Sequence, residues 1–234
     1  MRLDQYLVSH TNYTRRQLYT MLTQGAIQLN GKVCESLSGS IDPSVDRITA
    51  HGVRVTDVIG IAIYRYHKPV GIISTMTDPS GRPCLADVCR HIPEPVFPVG
   101  RLDRDTSGLL LLTNDGQLAN QILHPRYRVE KQYVVQLNRI IKSSDCNRLL
   151  GGLFLDDGPV RLTRLESLGK QQYRVVIEQG RNRIVRRLFE CMGYRVDGLH
   201  RDVIGPIQLG RLAVGQVDEL NHQRIVASLL NVNE

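Results

Sequence analysis

Residues 100–116 read GRLDRDTSGLLLLTNDG: two aspartates, Asp103 and Asp105, interleaved with Arg101 and Arg104, and then four consecutive leucines. Charged residues rarely stand this close to an apolar run without a partner or a task. VFPV (96–99) and LLLLT (109–113) are apolar strand candidates on either side, with Thr106, Ser107 and Gly108 supplying the turn. Asp103 is therefore expected in a tight loop between two strands. Beyond them, Asn114 or Asp115 caps a short helix, GQLANQIL. A carboxylate held at the mouth of a sheet serves as a nucleophile or a general base. It serves equally as a loop aspartate in a salt bridge, and local features favour that plainer reading. Asp105 is expected to bond the turn backbone through its side chain.

Working outward, IAIYRY (61–66) is strand-like and HKPVG (67–71) is a turn. KQYVVQL (131–137) alternates, with Tyr133, Val135 and Leu137 on one face, and YRVVIEQ (173–179) alternates again. NRIVRRLFECMG (182–193) predicts an amphipathic helix with Ile184, Val185, Leu188, Phe189 and Met192 on its apolar side. Arg186 and Arg187 border that stripe on opposite sides. Strands outnumber helices and are joined by short turns. The expected class is α+β: a mixed, mainly antiparallel sheet with packed helices, spanning 61–234.

The first 58 residues form a smaller unit. Leu3, Tyr6 and Leu7 have helical spacing. A second helix follows in TRRQLYTMLTQG (14–25): Thr14 and Gln17 have capping-box spacing, Leu18, Met21 and Leu22 make the stripe, and Gly25 stops it. AIQLNGKV (26–33) predicts short strands turning at Asn30-Gly31. Arg15 and Arg16 fall in the first helical turn, where cations oppose the helix dipole. With Arg2 and Lys32 they form either a solvated basic face or an RNA contact.

The 234 residues suffice for one large domain or a large and a small one. Net charge is +7, and only five of the 30 basic residues are lysine. Arginine forks onto phosphates and stacks on bases, so the balance suggests a nucleic-acid partner. The five cysteines are scattered, with no CxxC pair, which fits free thiols in a reducing compartment. The amino terminus lacks a secretory apolar core and no run approaches membrane-spanning length, so a cytoplasmic protein without a membrane partner is expected. The histidines have no HxH or HxxxH spacing, and neither GxxxxGK[ST] nor GxSxG occurs, so no metal, nucleotide or serine-hydrolase chemistry is indicated. Asp156 and Asp157 in GLFLDDGP read as a turn.

Two resemblances change the weights. RLDQYLVSHTNYTRRQLYTMLTQGAIQLNGK (2–32) resembles the S4 RNA-binding domain. GRLDRDTSGLLLLTNDG resembles the catalytic motif of the RsuA-type ribosomal RNA pseudouridine synthases. HKPVGIISTMTDPSGRP (67–83), HPRYRVEKQYVVQL (124–137) and EQGRNRIVRRLFECMGYRV (178–196) resemble three further motifs of that family, in the same order. DDGP and GRNRIVRRLFE look closest to the branch acting on large-subunit rRNA. Ile184 departs from the pattern, standing where the family commonly has a polar residue. The resemblance implies a uridine isomerisation within RNA: the N1–C1′ bond breaks, the uracil turns, and C5 bonds to C1′, with no cofactor and no metal. It implies that Asp103 is the essential carboxylate, Tyr133 the active-site tyrosine, and Arg186 the arginine that pairs with the catalytic aspartate. Leu199 becomes an apolar wall for the base. Arg101, Arg181 and Arg183, with the S4-unit residues Arg2, Arg15, Arg16 and Lys32, become substrate contacts. The expected partner is ribosomal RNA or an assembling ribosomal subunit, bound by a monomer. The rival is an RNA-binding ribosome-assembly factor without catalysis, against which intact Asp103, Tyr133 and Arg186 argue.

Overall fold

A computed structural model describes residues 1–11, 13–56 and 60–231. The boundary expected at residue 58 lies outside them. The amino-terminal unit contains α1 (Leu3–His10), α2 (Arg15–Thr23), β1 (Ile27–Leu29), β2 (Lys32–Val33), β3 (Ile48–Ala50) and β4 (Val53–Arg54). The capping box forms as its spacing predicts: Thr14 accepts from Gln17 N, and Gln17 accepts from Thr14 N. Asn30 (φ 52°) and Gly31 (φ 79°) make the left-handed two-residue turn that matches hairpin twist between β1 and β2. The strands pair in the order β2-β1-β3-β4. Leu3, Leu7, Leu18, Met21, Ile27 and Ile48 close a core belonging to this unit alone.

The larger unit runs β5 (Ile63–Lys68), α3 (Leu85–Cys89), β6 (Phe97–Val99), β7 (Ser107–Thr113), α4 (Gly116–Leu123), β8 (Lys131–Leu137) and α5 (Ser143–Gly151). It continues through β9 (Leu153–Leu155), β10 (Gly158–Val160), β11 (Arg164–Gly169), β12 (Gln172–Ile177), α6 (Ile184–Glu190), β13 (Val196–Ile204), β14 (Ile207–Gln208), β15 (Val217–Glu219) and α7 (His222–Asn231). Nine strands form one sheet, ordered β11-β12-β8-β13-β7-β5-β15, with β14 on β13 and β6 on β7. The pairing is antiparallel throughout except at β13 and β7, so the expected mixed, mainly antiparallel sheet is what forms.

The four leucines of β7 are fully buried because both faces of the sheet are covered. Leu110 and Leu112 pack with Tyr133, Val135, Leu188 and Phe189 on one face. Leu109 and Leu111 pack with Leu118 and Ile122 of α4 and Leu229 of α7 on the other. Asp115 caps α4 by accepting from Gln117 N and Leu118 N. Asn114, the other candidate, instead accepts from Ala62 N and donates to Gly60 O, stitching the start of β5 to the end of β7.

The parallel junction is tight. Gly108 (φ 110°) lies so close to β13 that a Cβ there would stand 2.1 Å from the Arg201 carbonyl oxygen. A side chain is excluded at that point on both conformational and steric grounds.

Candidate active site

The loop between β6 and β7 is held from three sides by the segment that follows β5. Ser74 Oγ donates to Leu102 O (2.7 Å) and accepts from Leu102 N (3.1 Å). Gly71 N donates to Arg104 O (2.7 Å). The fully buried Lys68 donates through Nζ to Thr106 O (2.8 Å) and Pro69 O (2.9 Å). Within the loop, Thr106 N donates to Asp103 O (3.0 Å). HKPVGIIS, read from sequence as a turn and as part of a family-like motif, is thus a clamp on the residues to either side of Asp103. Such bracing fixes a reacting group in advance.

Asp103 faces a cavity of about 670 Å³. Its wall includes Tyr133 from β8, Leu199 and Arg201 from β13, and Arg181, Arg183 and Ile184 around the start of α6. Arg101, Thr106, Lys131, Asp157 and Pro159 also line it. Asp103, Tyr133, Leu199, Arg101, Arg181 and Arg183 all line this one cavity. Ile184 packs its apolar side chain into the same wall and the core behind it.

Tyr133 lies directly across from Arg201 on the neighbouring strand. Arg201 donates through Nη1 to the Tyr133 hydroxyl (3.4 Å) and through Nε to Leu109 O (2.9 Å), with its guanidinium carbon 5.8 Å from the ring centroid. Because guanidinium only donates, the phenol oxygen accepts here and its own proton is directed elsewhere. Arg201 Nη2 and Thr106 Oγ1 are buried without a hydrogen-bond partner among the described residues, and both residues line the cavity. Beside them Lys131 donates to Val129 O (2.6 Å) and Glu178 O (3.0 Å). Burial pushes Lys131 down to about 8, Arg201 adding to the drop. Burial pushes Lys68 down to about 8 as well, opposed by Asp103 and Asp105. The sequence reading singled out none of Lys68, Lys131 and Arg201, although Lys68 and Lys131 lie within the quoted HKPVG and EKQYVV stretches.

Two expectations are corrected. Arg186 ion-pairs with Asp105 (3.1 Å), not with Asp103, and also donates to Asp105 O and Val196 O (3.0 Å each). Asp103 instead has Arg183 within 3.8 Å. The loop turns the Asp105 carboxylate toward α6, where Arg186 and Arg183 (3.6 Å) face it, so Asp105 bonds arginines rather than the turn backbone. Arg181, in the cavity wall, pairs with Asp157 (2.6 Å) and donates to Pro159 O (2.8 Å). Arg187 binds Asp156 (2.9 Å) and Asp157 (2.6 Å). Asp156 and Asp157 do form the expected turn, between β9 and β10, and the two arginines anchor it.

In the amino-terminal unit Arg2 and Arg15 both approach the buried Asp4, at 3.0 and 3.8 Å, while Arg2, Arg15, Arg16 and Lys32 remain exposed. The long Arg15–Asp4 pair gives that first-turn cation a partner in the fold. Among the described residues no group of three or more histidine, cysteine or acidic side chains is placed to hold a metal ion. None of the described helices is long and apolar enough to cross a membrane.

Comparison with known proteins points to one family. The sequence model of the family described as RNA pseudouridylate synthase matches residues 62–191, and that of the S4 domain matches residues 1–44. The chain is 35% identical over 228 residues to the ribosomal large subunit pseudouridine synthase B of Bacillus subtilis (strain 168), covering 94% of this chain and 93% of that protein. It is 36% identical over 232 residues to an uncharacterized RNA pseudouridine synthase of Mycobacterium tuberculosis (strain ATCC 25618 / H37Rv), covering 96% and 91%. A crystal structure of a pseudouridylate synthase superposes with a TM-score of 0.69 at 29% identity, covering 97% of this chain and 99% of that one.

Proposed function

This chain belongs to the RNA pseudouridylate synthase family, and from that premise we propose that it isomerises uridine to pseudouridine in ribosomal RNA with Asp103 as the essential carboxylate. The observation that carries the reading is one cavity, faced together by a clamped Asp103, the Tyr133 ring and Leu199. In the reaction N1–C1′ breaks, C5–C1′ forms, the C5 proton leaves and N1 gains one, so the product is an isomer. Asp103 acts at the ribose, as nucleophile or as base, with Arg183 close enough to balance its charge. Tyr133 stacks on the extruded uracil, and Leu199 closes the apolar side. Extruding the base costs a few kcal/mol, offset by stacking and phosphate contacts.

Residues 1–58 anchor the RNA through Arg2, Arg15, Arg16 and Lys32, and residues 61–234 perform the chemistry. The enzyme works in the cytoplasm, as a monomer without a cofactor, on large-subunit rRNA, naked or in an assembling subunit. Its similarity to the Bacillus subtilis large-subunit enzyme supports that choice of RNA. Mapping pseudouridines in rRNA from cells with and without the gene tests the reading. Loss of a large-subunit pseudouridine supports it, and an unchanged map overturns it.

A further inference from the structure

Phe154 is 83% exposed, the most exposed large apolar side chain among the described residues. The chain has only three phenylalanines and no tryptophan. Phe189 is fully buried and Phe97 packs against the core, whereas Phe154 projects from the β9–β10 hairpin into solvent. A lone exposed apolar residue needs no explanation by itself. This one stands on a braced mount beside the cavity.

The bracing comes from α6 and the loop before it. Arg187 holds both turn carboxylates, Asp156 and Asp157, while Arg181 holds Asp157 and the Pro159 carbonyl. Strand register supplies the direction. Phe154 lies directly opposite Pro159, and residues opposite one another in an antiparallel pair project from the same face. Pro159 and Asp157 belong to the cavity wall. The Phe154 ring is therefore held on the hairpin face that includes a wall residue, with the cationic side chains of Arg101 and Arg183 on the same cavity.

We propose that Phe154 is a stacking platform for an unpaired nucleobase flanking the target uridine. This rests on the reading of the chain as an RNA-modifying enzyme and adds a binding site outside the uridine pocket. A base extruded from RNA leaves its neighbours without a stacking partner. An aromatic face restores that contact for any base, because every base has a π-face. A hairpin tied to α6 through Arg187 holds the ring beside the cavity that Asp103 faces, so the platform contributes to affinity and leaves the chemical step alone.

The test uses the full-length protein and protein-free large-subunit rRNA transcribed with 5-tritiated uridine. Phe154→Ala is expected to weaken RNA affinity about 5- to 140-fold with an unchanged single-turnover rate at saturating RNA. Phe154→Tyr should bind like the wild type, while Phe154→Leu, apolar but without a π-face, should bind like Phe154→Ala. Phe154→Trp introduces the chain's sole indole, whose emission should be quenched on RNA addition. Wild-type affinity in Phe154→Ala or Phe154→Leu, or constant indole emission while RNA binds, overturns the proposal. A wild-type protein that binds the transcript but releases no tritium would instead count against the rRNA reading, and the affinity comparison would still decide the role of Phe154.

Discussion

Arg186 Nη2 sits 3.1 Å from Asp105 Oδ2 and 3.0 Å from the same residue's carbonyl oxygen, so one buried guanidinium grips both ends of the residue two places after Asp103. Its other bond, to Val196 O, ties the same group to the start of β13. Arg186 thus holds the loop to the sheet. Substituting methionine strands two carbonyl oxygens, at about 1–3 kcal/mol each where water cannot reach. Arg186→Met should therefore lower stability by about 2–6 kcal/mol and slow turnover. Arg187→Met, whose partners Asp156 and Asp157 are open to solvent, should change stability by less than about 1 kcal/mol. Urea unfolding midpoints and single-turnover rates compare the two, and equal midpoints would show that the loop is held by something else.

Asp103 has a lighter attachment to the fold. Its carboxylate lies 3.8 Å from Arg183, which retains Asp105 at 3.6 Å when Asp103 is changed. Asp103→Asn should leave the unfolding midpoint and RNA affinity where they are and cut tritium release at least about 100-fold. A variant that turns over at near wild-type rate removes Asp103 from the chemistry. Asp105→Asn keeps the carbonyl acceptor for Arg186 and should retain most activity.

Gly108→Ala is expected to be severe. The new methyl would collide with the Arg201 backbone, at a residue whose φ of 110° already suits glycine alone. Overpacking and backbone strain each cost about 1–3 kcal/mol. Circular dichroism melts should show a large drop in Tm, or no folded protein at all. A Tm within a few degrees of the wild type would mean that the β7–β13 junction yields.

The two buried lysines give a pH signature. Lys68 and Lys131 titrate near 8 in the folded chain, against 10.5 when solvated. Between those values the unfolded chain binds more protons, so these lysines' contribution to stability rises with pH across that window. Below about 8 both states are protonated and the cost of the buried charge is fully present. Moving from pH 7.5 to 9.5 should stabilise the wild type relative to Lys131→Met by roughly 2 kcal/mol. Denaturant unfolding of both proteins at the two pH values measures this, and parallel behaviour would refute it.

For the amino-terminal unit, the full-length triple variant Arg15→Gln, Arg16→Gln, Lys32→Gln keeps the core of that unit intact. Every cation–phosphate pair it removes should flatten the plot of log affinity against log salt by roughly 0.7–0.9. The bound-state rate should hold, since Asp103 and Tyr133 are untouched. An unchanged salt slope would place the RNA anchor elsewhere.

What the sequence made legible was local. The Thr14–Gln17 box, the Asn30-Gly31 turn and the alternation through Tyr133 and Val135 each depend on residues a few places apart, and the structure has all three. The pairing of Arg186 was misjudged because two aspartates two residues apart differ only in how the loop is turned. Clamps beyond β5 set that turning, at a distance in sequence. Lys68, Lys131 and Arg201 stayed hidden for a similar reason. Their positions beside the cavity come from strand order, which periodicity does not encode. Motif resemblance placed Asp103, Tyr133 and Leu199 together because short stretches of this kind carry the imprint of a whole fold.

The parallel contact of β7 with β13 also sets a timetable. Asp103 lies in the part of the chain ending at α4, whereas Tyr133, Leu199 and Arg201 come from the part beginning at β8. The two parts join where Ser107 and Gly108 meet His200 and Arg201. A chain emerging from the ribosome therefore has no complete cavity until β13, which ends at residue 204, has been made. A nascent fragment stopped before β13 can display a complete S4 unit, Asp103 and Tyr133 and still have nowhere to seat the base. Competence arrives in one late step, when the seam closes.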